Sequence, residues 1–293
     1  MSLVPGVGPV LLDSGSYPTY NSPTNLTYKW NGTNWTTTIT TATDPLGPLP
    51  TRTNASSSVL QRNNTVVVFG GKSSTDPLND TWVFNGTTWT KPTPATSPPT
   101  RFDAAMSCGF SSLSDILLFG GKNERNVLGD TWLWNGTTWT KQILASSPSA
   151  RYGAKLGGGI IAGRESILFG GADDATMFND TYQWNDSLAT WTKLSPTNSP
   201  SARIYHTMCA DNAHSSYIVL FGGKDGVNIL NDTWIFNGTN WIQQFPVNSP
   251  SYRYGAQMAY DVNSSSVILF GGRNESYDFN DTWKWTGTTW IQL

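Results

Sequence analysis

The chain has 293 residues, with 20 Asp and Glu against 18 Lys and Arg, a formal net charge of −2. That balance excludes a global attraction to nucleic acid or anionic membranes, so any charge-based recognition has to be local. Charged residues are only 13% of the chain while Asn, Thr and Ser are abundant, a composition met more often in surface-exposed or secreted proteins than in cytosolic enzymes. No apolar run reaches the roughly 18 residues of a membrane helix, and the opening MSLVPGVGPVLL lacks the positive stretch that begins a signal peptide, so a soluble chain is expected.

In chain order, the first elements are VLLDSG at Val10 and an eroded phrase, NLTYKWNGTNW, from Asn25. Five fuller versions follow: NDTWVFNGTTW from Asn79, GDTWLWNGTTW from Gly129, NDTYQWNDSLATW from Asn179, NDTWIFNGTNW from Asn231 and NDTWKWTGTTW from Asn280. The tryptophans that close the six phrases are Trp35, Trp89, Trp139, Trp191, Trp241 and Trp290, spaced 49 to 54 residues apart. A period of that length is the signature of a propeller, solenoid or array. The repeats run nearly end to end, which predicts one domain over 1–293 divided at about 1–50, 51–99, 100–149, 150–201, 202–251 and 252–293.

Each repeat breaks into four short strand-like segments. In the third these are Arg101 to Ser107, Asp115 to Phe119, Asp130 to Trp134 and Thr138 to Gln142. The second segment recurs as VVVFGG, ILLFGG, SILFGG, IVLFGG and VILFGG. Its unbroken apolar run predicts burial on both faces, and its glycine pair permits positive φ where the chain leaves the sheet. In the third segment Trp82 and Phe84, Trp132 and Trp134, Tyr182 and Trp184, Trp234 and Phe236, and Trp283 and Trp285 alternate to one face, an aromatic wall. Asn31-Gly32, Asn85-Gly86, Asn135-Gly136 and Asn237-Gly238 predict type I′ hairpin turns leading into the outermost strand. The first repeat departs from this pattern, and Ser2 to Val4 is expected either to form a shortened inner strand or to mark the loss of an upstream piece.

The glycine pair after an apolar strand, the aromatic about a dozen residues on, the second Trp some six residues later and the Arg opening the first strand together resemble the kelch repeat. The likeness covers five repeats well and the first poorly. It implies an all-β, six-bladed kelch-type β-propeller with four-stranded antiparallel blades, the first blade degenerate. Antiparallel topology then puts the loops after each glycine pair and the interblade loops on one face, and the Asn-Gly turns on the other. The former face carries Arg52, Arg101, Arg151, Arg203 and Arg253 at the starts of the innermost strands. It also carries Lys72, Lys122, Lys224 and Arg273 directly after the glycine pairs, with Ala172 breaking the series.

In kelch proteins that capture acidic peptides, residues at these positions line the central pocket. The resemblance therefore implies a ligand site at the channel mouth formed by the five arginines, with Tyr152 and Tyr254 as stacking partners. A ring of guanidinium groups grips carboxylates, sulfates or phosphates through bidentate bonds. Two readings of the arginines stay open at this stage, because each repeat also holds an aspartate, namely Asp80, Asp130, Asp180, Asp232 or Asp281, with which its arginine can pair. Acidic loop residues Asp76, Glu124, Asp173, Asp174, Asp225, Glu275 and Asp278 make the face mixed in sign.

A non-catalytic scaffold binding a protein or peptide, acidic or otherwise, is the expected function, with a glycan-binding module or a purely structural ring as alternatives. Neither nucleic acid nor a cofactor is expected. Only His206 and His214 are available for metal chemistry, too few for the His, Tyr and Cys sets of the copper oxidases that share this fold superfamily. His206 replaces an alanine on an innermost strand and His214 lies at an expected hairpin turn. Nothing matches a GxSxG elbow or the SxDxGxTW box of sialidase propellers. Cys108 and Cys209 fall in non-neighbouring repeats and read as buried free thiols. The Asn-x-Thr triplets lie inside the repeat and serve its turns, although a secretory pathway would offer them as glycan acceptors.

Overall fold

The computed structural model describes residues 2–4, 8–12, 27–38, 49–108, 115–159, 165–214 and 217–293. Their strands form six four-stranded antiparallel sheets, each drawn from consecutive chain, which makes a six-bladed β-propeller. The innermost strands are β1 (Ser2–Val4), β5 (Ser56–Leu60), β9 (Ala105–Cys108), β13 (Lys155–Gly159), β17 (Thr207–Asp211) and β21 (Gln257–Asp261). They pack side by side in that order, and β1 touches both β5 and β21, so the ring closes through the N-terminal strand. Ser2 to Val4 is thus the short inner strand of the first blade, paired with Gly8–Leu12 (β2) through Ser2↔Val10. Leu12 pairs with Thr27 as Phe69 pairs with Thr81, and Asp13 and Ser14, which stand where other repeats have the glycine pair, lie outside the described residues.

The second strands behave as their unbroken apolar runs predict. Every residue of Ile116–Phe119 (β10) is at most 1% exposed, because a blade lies against each face. The third strands place their last aromatic deepest: Trp30, Phe84, Trp134, Trp184, Phe236 and Trp285 are 2% exposed or less. The earlier aromatic of the pair lies nearer the loop face, where Trp82, Trp132, Trp234 and Trp283 donate Nε1–H to the aspartate two residues before them at 2.6–2.7 Å.

Blade-to-blade cohesion is a cyclic relay. Each closing Trp donates its Nε1–H to the repeat-phrase Thr on the third strand of the preceding blade: Trp89 to Thr27, Trp139 to Thr81, Trp191 to Thr131, Trp241 to Thr181 and Trp290 to Thr233, at 2.9–3.0 Å. Trp35 to Thr282, at 3.0 Å, completes the circle across the seam between the first and last blades. The same tryptophans pack on the phenylalanine before the preceding glycine pair, as in Phe119 with Trp191 and Phe270 with Trp35, with ring centroids 5.3 Å apart in both. A Thr in that place satisfies a buried donor that would otherwise cost about 1–3 kcal/mol.

The Asn-Gly turns differ from the expected type I′. Gly32, Gly86, Gly136 and Gly238 take positive φ, but the asparagines before them do not. The loop is four residues long, Phe84 pairing with Trp89 across Asn85 to Thr88. Asn85 Oδ1 accepts from both Thr87 N–H and Thr88 N–H at 2.9 Å, so the side chain closes the turn that a second left-handed residue would otherwise shape.

Candidate functional site: the loop face around the channel

The inner strands begin on this face, and their first residues are tied together by backbone. Asp103 N–H donates to Asn54 O, Gly153 to Asp103, Tyr205 to Gly153 and Gly255 to Tyr205, at 2.8–3.0 Å. The shared position has φ between 55° and 70° in five of the six blades, filled by Asn54, Asp103, Gly153, Tyr205 and Gly255. Non-glycine residues in that region are uncommon, and a bulky aromatic there is strained, so Tyr205 is held by its surroundings. Its hydroxyl donates to Asp103 Oδ2 at 3.2 Å. Sequence reading passed over this collar; the glycines in two of five repeats, flanked by Arg two residues before and Ala one after, are the signal that could have exposed it.

Beneath the collar lie the five strand-start arginines, and they are not at the surface. Arg52, Arg101, Arg151, Arg203 and Arg253 are 1–3% exposed. Arg101 donates Nε–H to Pro99 O at 3.1 Å, Nη1–H to Gly120 O at 2.9 Å and Asp130 Oδ1 at 2.7 Å, and Nη2–H to Asp130 Oδ2 at 2.8 Å. The other blades repeat this fork with Asp80, Asp180, Asp232 and Asp281. In Arg203 an added bond to Ser201 Oγ at 2.9 Å engages all of the donors. Arg151 and Arg253 are covered further by Phe178 and Phe279, at 4.1 and 4.0 Å from the ring centroids. Of the two readings the sequence left open, this geometry runs against arginines that line an open mouth: each is buried, with four of its five N–H donors, or in Arg203 all five, bonded inside the blade.

The electrostatics agree. Burial pushes the Asp130 carboxyl up, but the hydrogen bond and charge of Arg101 and the Trp132 N–H more than reverse this, leaving it below the usual carboxylate range. Asp80 and Asp281 are depressed in the same way, by Arg52 with Trp82 and by Arg253 with Trp283. Four of the arginines also clamp the loop of the preceding blade: Arg101 N–H donates to Leu78 O and Gly71 N–H to Arg101 O, both 2.9 Å, and Arg151, Arg203 and Arg253 repeat the pattern. A Cβ on Gly70 would lie 2.5 Å from Arg101 O, which is why the pair is glycine.

The remaining sequence-predicted residues do reach the face. Lys72, Lys122, Lys224 and Arg273 continue the second strands past the glycine pairs and form bridges with Thr53, Phe102, Ile204 and Tyr254 respectively, while Tyr152 bridges Ala172. All are half-buried, and the cations lie over the rings: Lys122 Nζ is 3.7 Å from the Tyr152 centroid and Lys224 Nζ 4.6 Å from that of Tyr254. Carboxylates alternate with them, Lys72 pairing with Glu124 at 3.7 Å and Arg273 with Asp278 at 3.5 Å.

Residues 138–292, just over half of the chain, match the family described as the KLHDC2/KLHL20/DRC7 Kelch-repeats domain. The chain belongs to the Kelch-repeat family. No curated protein matches it significantly. Propellers of this family are generally protein-interaction scaffolds and typically non-catalytic.

Among the described residues no group of three or more His, Cys, Asp or Glu side chains could hold a metal ion. His206, on its innermost strand position, is 0% exposed, with its ring edge-on to Phe169 at 5.6 Å and neither nitrogen hydrogen-bonded among the described residues. His214 does lie at a hairpin, its Nδ1 2.9 Å from the buried Asp211 carboxylate. Burial raises the Cys108 thiol to about 11 and the Cys209 thiol to about 12, which leaves both protonated and unreactive. No described helix is long and apolar enough to cross a membrane.

Proposed function

We propose that this Kelch-repeat protein is a non-catalytic platform that binds a protein or peptide with the loop face around its channel. The observation that carries the reading is the division of labour among the basic residues. The five arginines lock the loops from beneath, and Lys72, Lys122, Lys224, Arg273, Tyr152 and Tyr254 remain above them as half-exposed cations and rings. A surface held this rigidly loses little ordering entropy on binding, which favours affinity from few contacts. Its alternating charge fits a partner of mixed sign better than a uniformly acidic one.

The test is selection from a displayed peptide library on the intact protein, followed by titration of the selected peptides against variants. Substituting Lys122 and Tyr254 by Ala should weaken binding at least tenfold, while Asn85→Ala on the opposite face should change it less than twofold. Selected peptides that bind both sets of variants as they bind the natural protein would refute the assignment of the face.

A further inference from the structure

The ring closes at its inner strands and across its seam tryptophan, but on the loop face the junction between the sixth and first blades is open. In the four junctions that lead into the third to sixth blades, a Ser-Pro-x-x-Arg segment crosses from blade to blade, ending at Arg101, Arg151, Arg203 and Arg253. Its serine donates to the carbonyl before the aspartate of the preceding blade, as Ser97 does to Asn79 O at 3.1 Å, and its proline is buried. The arginine main chain then pairs with the loop of that blade, and the residue two further on joins the collar.

None of this is present at the sixth junction. Ser2 pairs with Val10 as Ser58 pairs with Val67, so the first-blade places of Arg52 and Asn54 have no counterpart among residues 1–293. Left over are Gly272 N–H, Phe279 O and Asn280 O on the sixth blade and Gly255 O and Asn54 N–H at the two ends of the collar, none with a hydrogen-bond partner among the described residues. Room is left beside them. Gly255 is exposed and Gly272 half-buried, whereas Gly153, Gly71, Gly121, Gly171 and Gly223 are buried. A Cβ on Gly70, Gly120 or Gly222 would lie 2.5 Å from the arginine carbonyl of the next blade; on Gly271 it would meet only Phe279 O of its own blade, at 3.2 Å, and on Gly255 nothing within 4 Å. Unpaired main-chain groups in a row, with space for a strand alongside, are what an added extended peptide satisfies.

We propose that the open junction takes an extended, Ser-Pro-led segment of a partner protein. Its serine donates to Asn280 O, the main chain of its fifth residue pairs with Phe279 O and Gly272 N–H, and its seventh residue closes the collar between Gly255 and Asn54. That seventh residue is best a glycine, because the collar position holds φ between 55° and 70°. The fifth is uncharged: Leu26, outside the described residues, stands in the first blade's sequence where Asp80 receives Arg52, so a guanidinium would find no carboxylate. The chain's own Ser-Pro-x-x-Arg segments all carry arginine there and are engaged in their own junctions, which points to another protein rather than a second copy. The proposal rests on the loop face being the contact surface, and it names the segment that surface selects.

The probe is acetyl-Asn-Ser-Pro-Ser-Tyr-Leu-Tyr-Gly-Ala-amide, the sequence of residues 248–256 with leucine in place of Arg253, titrated into the isotope-labelled full chain and followed by NMR. It should shift the Gly272 and Asn54 amide signals. The same peptide N-methylated at leucine, which has no N–H for Phe279 O, should bind about tenfold more weakly, and so should the arginine form. Gly271→Ala puts a methyl where the incoming carbonyl belongs and should also block binding; because φ there is 64°, a second variant avoids the strain. In it Asn-Ser-Pro-Ser-Tyr-Leu-Tyr-Gly-Ala-Ser is fused directly before Met1, which sets the leucine in the register of Arg52, so the slot is filled in cis and free peptide should no longer bind. Equal binding of the N-methylated peptide, undiminished binding to the fused chain, or no shift at Gly272 and Asn54 would overturn the proposal. A fusion that raises the unfolding midpoint while free peptide never binds would overturn the partner as occupant. Shifts confined to the loops of Lys122 and Tyr152 would overturn the slot and leave the contact face standing, and shifts confined to the Asn-Gly loops would count against both.

Discussion

Breaking the Arg101–Asp130 fork is the sharpest test of the assignment of the arginines to the blades. Arg101 is 1% exposed, and the Asp130 side chain is 16% exposed. Changing Asp130 to Asn removes the charge that compensates a buried guanidinium. It also weakens the acceptor of Trp132 Nε1–H, now 2.6 Å away. Loss of one partner of a buried pair costs about 3–5 kcal/mol. The slight exposure of Asp130 places the expected value near 3 kcal/mol, and the weakened indole bond adds up to about 1 kcal/mol. With an m-value of about 3 kcal/mol/M, the urea midpoint should fall by about 1–1.5 M. The 14 tryptophans make fluorescence a direct readout. Arg101→Met should cost a similar amount, but Arg101→Met combined with Asp130→Leu should cost clearly less than the sum, because no buried charge is then left alone. A loss below about 1 kcal/mol in the single variants, or strict additivity in the double, would refute the staple and return the arginines to the pool of ligand-binding groups.

Two further outcomes follow from the packing. Trp134→Phe should change stability by less than about 1 kcal/mol, since its buried Nε1–H has no partner among the described residues and Phe84 and Phe236 already occupy this place in other blades. Trp139→Phe and Thr282→Val should each cost about 1–2 kcal/mol, the first by losing the bond to Thr81 and the second by stranding Trp35 at the seam; denaturant midpoints that rank these three variants otherwise would break the relay. His206 is held well below its ordinary pKa by burial, then by the positive charges of Arg203 and Lys155. A depressed histidine leaves the unfolded chain binding the extra proton, so stability is full above about pH 6.5 and is lost as pH falls below it, by at most about 1.4 kcal/mol per pH unit. Unfolding curves at pH 7.5 and 5.0 should therefore converge in His206→Ala relative to the natural chain, and identical pH dependence in both would remove His206 as the cause.

Much of the architecture is legible along the chain because it is repeated and local. The 49-to-54-residue spacing of the closing tryptophans, the apolar runs before each glycine pair and the alternation in Asp-Thr-Trp phrases depend on neighbours one or two residues apart, so pattern alone identifies the blades. The lysines after the glycine pairs were placed on the loop face by strand parity, which the same patterns carry. The Asn-Gly turns were misjudged because the dipeptide names only the glycine conformation; the bonds of the Asn85 side chain to Thr87 and Thr88 lengthen the loop, and composition is blind to them.

What the chain could not decide by pattern was which of two partners each polar group would choose. Arg101 and Asp130 are visible as repeated residues, but whether the fork closes on itself or opens to a ligand depends on the blade folding a residue 29 positions away to within 2.7 Å. Burial then removes water as a competitor and makes the internal pair the stable one. Ring closure is of the same kind: the sequence left Ser2 to Val4 as either a shortened inner strand or the mark of a lost piece, and only the folded ring puts it between β5 and β21 and brings Trp35 to Thr282. Local propensity specifies a blade, whereas the circle exists only when six of them bury their faces against one another, and that is a property of the assembled surface rather than of any segment.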